Sequence, residues 1–305
     1  SQTLRRSRAM SWHLPVPLTP LIGRQDELAT VDAMLRTTST RLVTITGPGG
    51  VGKTRFTLEV AQRRKEHFAS GCYWVPLASV EDANGVAAAM ASSLDIQVPT
   101  DQTALSALCE NLAQREALLV VDNFEQVSDA APLLTEILQA GSSLRIIVTS
   151  RSLLNISGEH RVALGPLAVP AADTSISSAA DLHRFSAIRL FLERADAATG
   201  SFELTPDNAG DVVAVCRALD GLPLALELAA ARLRHMPLSA IVARLEDRLG
   251  LLMGGPRDRP ARHQALRAAI DWSYRLLAPG AALACGQRDQ ALDLADRAAE
   301  AAQCA

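Results

Sequence analysis

The sequence predicts an α/β fold, a doubly wound parallel sheet, followed by a smaller all-helical domain. Short, nearly continuous apolar runs alternate with helical stretches as far as residue 170, and no such run follows. Strands that are apolar along their whole length are typical of parallel sheets whose two faces are covered by helices. The chain has 305 residues, of which 48% are hydrophobic, so it is long enough for two domains with substantial cores.

The α/β part begins with an amphipathic helix, in which Leu28, Val31 and Leu35 recur at helical spacing after a proline-punctuated linker. A β-rich run, RLVTIT, leads into a glycine-rich loop and a helix from Lys53 to about Phe68. Three further apolar runs, CYWVPL, ALLVVD and LRIIVTS, have the composition of buried strands. The four predicted strands cover residues 41–46, 72–77, 117–122 and 144–150.

The second part reads as helical throughout. A Ser/Ala-rich connector precedes four helical segments, after which come one more helix, ALRAAIDWSYRLLAP, and an alanine-rich amphipathic helix at the end of the chain. The four segments are predicted at about residues 184–198, 206–219, 223–234 and 238–249.

Composition excludes several classes of protein. The formal net charge is only -3, from 30 basic and 33 acidic residues, so the whole chain lacks the signature of a nucleic-acid or membrane-surface binder. The five cysteines are odd in number and form no C-x-x-C pair, which argues against a disulfide framework or a zinc site and favours a reducing cytoplasm. No apolar stretch is long enough to span a membrane, and no secretory signal is visible. The first residue is not methionine, which suggests a processed chain or a fragment of a longer one.

The stretch ITGPGGVGKTRF has the spacing of a phosphate-binding loop, with Gly47, Gly52, Lys53 and Thr54 at the required positions. Glycines allow the positive φ angles that turn backbone N–H groups inward at a helix N-terminus, where they bind anions. Lys53 would reach the β and γ phosphates, and the Thr54 hydroxyl would bind Mg²⁺. A glycine-rich turn without a ligand would need neither side chain. The predicted nucleotide-binding residues are Gly47, Gly49, Gly50, Val51, Gly52, Lys53, Thr54 and Arg55.

A magnesium site also needs a carboxylate on a neighbouring strand, and ALLVVD places Asp122 at the carboxyl end of a buried run. An aspartate in that position is often an ordinary turn residue or helix cap. After a phosphate loop, however, it is predicted to hold Mg²⁺ together with Thr54, beside bound ATP or ADP.

The residues around Asp122 predict slow hydrolysis or none. Many phosphate-loop ATPases have an activating acid directly after the metal aspartate, whereas this chain has Asn123. Glu125 is near enough to substitute, or it caps the following helix. At the end of LRIIVTSR, Arg151 would point at a γ phosphate if its strand lies beside the loop strand, and otherwise it is a solvated loop arginine. Lys53, Asp122, Glu125 and Arg151 are therefore the candidate catalytic residues.

Seven segments together resemble one family. The chain looks like a bacterial signal-transducing ATPase of the STAND class, close to the NB-ARC-type module of AfsR/LuxR-type transcriptional regulators, over about residues 17–278. The segments are PLIGRQDEL, TITGPGGVGKTR, LLVVDNFEQV, LRIIVTSRSLL, LGPLAVP, ALDGLPLALELAAARLR and RHQALRAAIDWSYRLLAP.

The resemblance implies an ADP or ATP molecule clamped between a doubly wound domain, a helical domain and a winged-helix domain. By that analogy Gly23 and Arg24 lie near the adenine, Arg151 is the γ-phosphate sensor, and Pro223 closes over the base. Gly221 and Pro223 also make a good helix start, and the two roles can coexist.

The resemblance also gives the domain boundaries. Residues 1–16 are a basic, proline-rich lead, 17–170 the phosphate-loop (P-loop) nucleotide-binding domain of the NTPase type, and 171–254 the helical domain. Residues 255–279 begin a winged-helix domain, and 280–305 form a helical tail that resembles a tetratricopeptide-like repeat fragment.

The chain departs from the family pattern after Pro279. Family members continue through the winged helix to a histidine that contacts the ADP β phosphate, and that stretch is not recognisable here. An internal deletion or natural truncation would explain the junction, and a solvated amphipathic tail explains it equally well. DNA contact is expected only through regions that are missing or incomplete.

The leading hypothesis is an ATP/ADP-dependent molecular switch with slow or no hydrolysis, which self-associates or binds a partner in its ATP state. One alternative is an active P-loop ATPase or phosphotransferase, although neither an arginine-bearing lid nor an activating acid after Asp122 is evident. Another alternative is a truncated, non-signalling remnant.

Overall fold

The computed structural model describes residues 12–171 and 179–252. These residues divide into two compact units. The first unit contains the described residues up to Pro48 together with Gly52–Gly165, and the second contains Gly49–Val51 and the described residues from Pro166 onward.

The first unit is built on a six-stranded sheet in which every pair of neighbouring strands is parallel. The spatial order is β1-β3-β4-β5-β2-β6. Strand β5 therefore lies between β2, which leads into the glycine-rich loop, and β4, which ends at Asp122. The strands are β1 (Trp12–His13), β2 (Leu42–Thr46), β3 (Cys72–Pro76), β4 (Leu118–Asp122), β5 (Arg145–Ser150) and β6 (Glu159–Ala163).

Five α-helices accompany this sheet. Helix α2 contacts the central strands β2, β4 and β5 and also packs against α1, whereas α3, α4 and α5 pack against one another. A 3₁₀ turn, Lys65–His67, extends α2, and another, Phe124–Ala130, precedes α5. The helices are α1 (Gln25–Arg36), α2 (Lys53–Arg64), α3 (Ala83–Ser93), α4 (Ala104–Leu112) and α5 (Ala131–Ala140).

The core of the first unit shows why its strands are apolar along their length. In β4, Leu119 and Val121 belong to the buried cluster that includes the inner faces of α3, α4 and α5. Leu118 and Val120 alternate with them, point to the other face, and are also fully buried. Because both faces are covered, each strand needs hydrophobic side chains at successive positions.

The second unit is helical. Helix α6 packs against α7 and α8, and α7 packs against α9. At the turn between α7 and α8, Gly221 has a φ of 64°, and a Cβ there would collide with the carbonyl oxygen of Leu167. Only glycine fits this close approach. The helices are α6 (Ser186–Thr199), α7 (Ala209–Ala218), α8 (Pro223–Ala231) and α9 (Leu238–Leu252).

The predicted fold class, a doubly wound parallel sheet followed by helices, is confirmed. The four predicted strands correspond to β2, β3, β4 and β5, whereas the sequence predicted neither β1 nor β6. Strand β1 has only two residues, which are too few to show a pattern, and only one of the five residues of β6 is buried, so it lacks an apolar run. The predicted start of a winged helix at 255–279 and the tail at 280–305 lie outside the described residues, and the domain boundaries stay predictions. Within the described parts of the chain, no helix is both long and apolar enough to cross a membrane.

Candidate functional site

The glycine-rich loop joins the end of β2 to the start of α2. Gly50 and Gly52 have φ angles of 74° and 92°, in the left-handed region that favours glycine. The N-cap residue of α2 is Gly52, which has no side chain that could bond the backbone N–H groups of the first turn. A Cβ placed on Gly52 would meet no atom within 4 Å. The loop therefore provides an open cradle of backbone donors, which is the form of a phosphate site.

Lys53 begins α2, and its ammonium group is turned back onto the loop. Its Nζ donates to the carbonyl oxygens of Gly47 at 2.8 Å and Pro48 at 3.3 Å, and the residue is only 9% exposed. Burial lowers the pKa of Lys53 from its ordinary value, and the charge of Arg151 acts in the same direction. Glu125 and Asp122 oppose that shift. A polyphosphate at the loop would give this buried ammonium a full counter-charge.

Asp122 is bound by two threonine hydroxyls at the end of β4. Thr54 donates to its Oδ1 and Oδ2 at 2.9 and 3.1 Å, and Thr149 donates to Oδ1 at 2.6 Å. The Thr149 hydroxyl also accepts the N–H of Asn123 at 2.9 Å. Burial raises the pKa of Asp122, while the hydrogen bonds from Thr149 and then Thr54 act against the rise. The donor pair of Thr54 hydroxyl and Asp122 carboxylate fits Mg²⁺, which binds oxygen ligands and takes few of them from the protein.

Glu125 and Arg151 form an ion pair beside this cluster. The Nε of Arg151 lies 3.3 Å from Oε1 of Glu125, and the two side chains are 49% and 19% exposed. Oε2 of Glu125 is buried and has no hydrogen-bond partner among the described residues. Arg151 follows β5, directly beside β2, where Thr46 and Ser150 are in register. The γ-phosphate role predicted for Arg151 required that its strand lie beside the strand that leads into the loop, and the two strands are neighbours.

Four other predicted residues are Arg24, Arg55, Gly23 and Pro223, and the first two make contacts with other parts of the protein. Arg24 precedes α1 with a φ of 72°, and its guanidinium donates to Glu27 at 3.0 Å and to the Gly165 carbonyl at 2.6 Å. Arg55 donates to the carboxylate of Glu59 and to the carbonyl of Thr19. Gly23 is a buried residue with positive φ beside Arg24, and Pro223 is the first residue of α8 in the second unit. Their roles at the nucleotide stay predictions.

The predicted residues therefore divide into two groups. The structure brings Lys53, Thr54, Asp122, Glu125 and Arg151 together at the carboxyl ends of β2, β4 and β5, where parallel sheets bind ligands. The sequence did not predict a role for Thr149, which lies near the end of β5. The available signal was a buried hydroxyl at the end of an otherwise apolar run.

Comparison with known proteins also indicates a nucleotide-binding domain, independently of the geometry of the cluster. Residues 24–166, which contain all the residues of this cluster, match the NB-ARC domain family. These residues are an NB-ARC domain. The predicted resemblance to NB-ARC-type ATPases of the STAND class is thereby confirmed, and the domain is a nucleotide-binding P-loop NTPase domain.

Relatives of the NB-ARC domain include much longer proteins. A Mycobacterium tuberculosis protein, whose name assigns it provisionally to the HTH-type transcriptional regulators, is 37% identical over 238 residues, or 78% of this chain and 25% of the relative. An uncharacterized protein of the same species is 34% identical over 85% of this chain and 62% of its own length. The regulatory protein AfsR of Streptomyces coelicolor is 27% identical over 79% of this chain and 23% of the relative. The chain thus spans about a quarter of the regulators that it matches.

Solved structures with low identity resemble the chain over most of its length. A Walker-type ATPase of Pyrococcus abyssi has a TM-score of 0.47 and 17% identity, over 78% of this chain and 77% of that one. A STAND protein of Pyrococcus horikoshii with a tetratricopeptide repeat sensor also has a TM-score of 0.47, with 16% identity over 85% of this chain and 38% of that one.

Proposed function

We propose that the chain is an ATP/ADP-binding switch from a signal-transducing regulator, with slow hydrolysis or none. The single observation that carries this proposal is the connected group of Lys53, Thr54, Asp122 and Thr149 at the carboxyl edge of the sheet. A loop that merely turned the chain would need no buried lysine, and no aspartate held by two hydroxyls.

The residues present fit a nucleotide with Mg²⁺. The open backbone cradle at Gly50 and Gly52 would hold the phosphates, and the Lys53 ammonium would exchange its two carbonyl acceptors for phosphate oxygens. Thr54 and Asp122 would hold the ion, whose role is to neutralise phosphate charge. Gly23, Arg24 and Pro223 are proposed for the adenine end only on the likeness to the family, and Arg55 is proposed as the last residue of the phosphate loop.

The Glu125–Arg151 pair supplies a difference between the two nucleotides. With ADP, Arg151 keeps its carboxylate partner, whereas the γ phosphate of ATP offers it a stronger acceptor nearby. A ligand shifts an equilibrium only through different contacts in the two states, and this exchange is such a difference. An exposed pair is weak in water, so the exchange costs little.

The same residues argue for slow turnover. The side chain of Asn123 cannot act as a base, and its backbone N–H is bonded to Thr149. Glu125 is the remaining acid that could orient a water molecule, and its Oε2 has no protein partner. Its other oxygen is paired with Arg151, so only one oxygen of the carboxylate is left to contact a water molecule.

The regulatory role rests on the relatives. By likeness to the mycobacterial protein and to AfsR, we infer that this chain belongs to a bacterial transcriptional regulator. Contact with DNA is assigned to other regions of such a protein. Self-association in the ATP state is part of the same proposal.

Removal of the Lys53 charge tests the proposal. We expect Lys53→Ala to weaken Mg²⁺-ADP and Mg²⁺-ATP binding by about 100-fold or more, because a buried charge-assisted contact worth about 3 kcal/mol is lost. Lys65→Ala, which changes the only other lysine in the chain, is the matched control and should bind normally. Calorimetric titration measures both. Full nucleotide affinity in Lys53→Ala would count decisively against the switch.

Steady-state turnover separates the switch from the alternative of an active ATPase or phosphotransferase. We expect fewer than about one ATP hydrolysed per second per chain, whereas a working enzyme typically exceeds that rate. Faster release of phosphate, or transfer to an acceptor, would favour the alternative. A cooperative unfolding transition that ADP moves to higher temperature would exclude the third reading, a non-functional remnant.

A further inference from the structure

A cavity of about 670 Å³ lies at the opposite edge of the same sheet. It is formed where β4 and β5 begin and where α1 and α2 end, so it faces away from the carboxyl edge that holds Asp122. We call it the amino-edge cavity. The polar residues that line it include Arg36, Arg64, His67, Glu116, Ser143 and Arg145.

Arg64 is a buried cation with an unused donor. Only 6% of the residue is exposed, and its Nη1 lies 3.3 Å from Oδ1 of Asp32. Its Nε is buried and has no hydrogen-bond partner among the described residues. Buried polar groups are normally bonded, and one left unsatisfied costs about 1–3 kcal/mol. Arg64 therefore lines the cavity as a buried cation that has one unsatisfied donor.

Arg145 repeats this arrangement at the start of β5. Its Nη1 and Nη2 donate to the carbonyl oxygens of Leu144 at 3.2 Å and Thr38 at 3.5 Å, and its Nε is buried without a partner. Within the described parts of the chain, no carboxylate lies within 4.0 Å of its guanidinium. Burial lowers the pKa of Arg145, and the neighbouring charge of Arg41 lowers it further, whereas Glu116 opposes the shift.

Negative charge around the cavity does not match this positive charge. Asp32 forms ion pairs with two arginines, because its Oδ2 lies 2.5 Å from Arg36 and its Oδ1 lies 3.3 Å from Arg64. Glu116 is the other acid at the site. Three lining arginines therefore have two carboxylates between them, and the nearby Arg41 adds to the excess. Arg36 is exposed and shares Asp32 with Arg64, whereas the partly buried Arg145 has no carboxylate within 4.0 Å among the described residues. A partly buried cation without a counter-charge is costly, and a bound anion would reduce that cost.

We propose that the amino-edge cavity is a second binding site of the domain and takes a small phosphate-bearing anion. Guanidinium groups match the oxygens of phosphate in geometry, and Arg64 and Arg145 line the cavity from the end of α2 and the start of β5. The Ser143 hydroxyl and His67 ring are further polar groups at the site. The volume lies within the roughly 300–1,000 Å³ typical of small-molecule sites, which leaves room for an organic group behind the phosphate.

The experiment uses the full chain carrying Lys53→Ala, so that the glycine-rich loop contributes little to anion binding. Inorganic phosphate, ribose 5-phosphate and citrate are titrated separately, and binding is followed by calorimetry and by the thermal unfolding midpoint. We expect both phosphates to bind and to raise that midpoint. Tighter binding of ribose 5-phosphate assigns the site to organic phosphates, and tighter binding of inorganic phosphate assigns it to the free ion. Binding of citrate alone would overturn the proposal.

Two arginine variants in this background locate the site. Arg145→Gln should weaken phosphate binding at least tenfold while leaving the midpoint without phosphate unchanged or higher, because it removes a cation from a crowded group. Arg63→Gln is the matched control, since Arg63 precedes Arg64 on the same helix but does not line the cavity, and it should change neither quantity. Equal phosphate affinity in Arg145→Gln and Arg63→Gln would overturn the proposal, as would no phosphate binding in their parent.

Discussion

The two edges of the sheet differ in how completely their charged side chains are paired within the protein. At the carboxyl edge, each charged group contacts a protein partner: Asp122 accepts from two threonine hydroxyls, Lys53 donates to two carbonyls, and Arg151 pairs with Glu125. At the amino edge, Arg64 contacts Asp32 and Arg145 donates to two carbonyls, but the buried Nε of each has no partner among the described residues.

This difference teaches how the two sites are prepared for ligands. At the carboxyl edge, the charged groups are bonded to protein groups in this structure. A nucleotide with Mg²⁺ would replace these bonds with bonds to the ligand, at small net cost. We therefore expect substitutions of the buried groups at the first edge to disturb both nucleotide affinity and stability, and substitutions at the second edge to disturb anion affinity alone.

Asp122→Asn should give the largest effect in this comparison. The substitution keeps an oxygen for the threonine hydroxyls but removes the charge that would hold Mg²⁺, so the gain in nucleotide affinity on adding Mg²⁺ should fall by about 100-fold. Titrations with Mg²⁺ and with EDTA measure this gain. Asp129→Asn, an exposed neutralisation seven residues later, is the control. An undiminished Mg²⁺ effect in Asp122→Asn would remove this residue from the proposed ion site.

The same variant makes a prediction about pH. Because burial raises the pKa of Asp122, the unfolded chain loses this proton at lower pH than the folded protein does. In the interval between the two values the folded state binds more protons, so the contribution of Asp122 to stability falls as pH rises. Asp122→Asn should therefore gain stability relative to the parent across that interval, measured by denaturant unfolding without Mg²⁺. A relative loss as pH rises would contradict the assigned direction.

Thr149→Val should destabilise the fold by about 1–3 kcal/mol, because it leaves the Asn123 N–H and one lone pair of Asp122 unsatisfied. Thr44 provides the control, since it is equally buried on the neighbouring strand β2 but its hydroxyl has no partner among the described residues. Thr44→Val should be neutral or stabilising. Denaturant unfolding of both variants measures the contrast, and equal losses would show that the Thr149 hydroxyl does not tie the two strand ends together.

Arg151→Gln should give the smallest effect, a decrease of about fivefold in the preference for ATP over ADP, which corresponds to about 1 kcal/mol. Stability should hardly change, since exposed ion pairs contribute little. Arg63→Gln is a close control because Arg63 is also an exposed arginine paired with a glutamate, Glu59, at 3.0 Å. An unchanged ATP preference in Arg151→Gln would leave the sensor role without support.

The sequence predicted the fold and the carboxyl edge because both depend on local patterns. Nearly continuous apolar runs predict buried parallel strands, and the spacing of Gly47, Lys53 and Thr54 predicts a phosphate loop within eight residues. The place of Asp122 follows from its strand end. Thr149 was overlooked because a threonine at a strand end is common, and only the packed sheet shows which carboxylate it contacts.

The amino edge could not be predicted in this way. Arg36, Arg64 and Arg145 are separated by up to 109 positions and belong to no motif, so nothing in the order of residues joins them. The strand order β4-β5-β2 and the helix ends bring them to one cavity. The positive charge is also invisible in a chain whose net charge is -3, because acidic residues elsewhere offset it.

The most direct test of the central claim, that this loop binds a nucleotide through its phosphates, uses the scarcity of lysine in the chain. Lys53 and Lys65 are its only lysines, so acylation followed by mass spectrometry reads each of them separately. We predict that Mg²⁺-ADP or Mg²⁺-ATP slows modification of Lys53 at least tenfold, that adenosine does not, and that Lys65 reacts equally in every case. Equal modification of Lys53 with and without nucleotide would contradict the account.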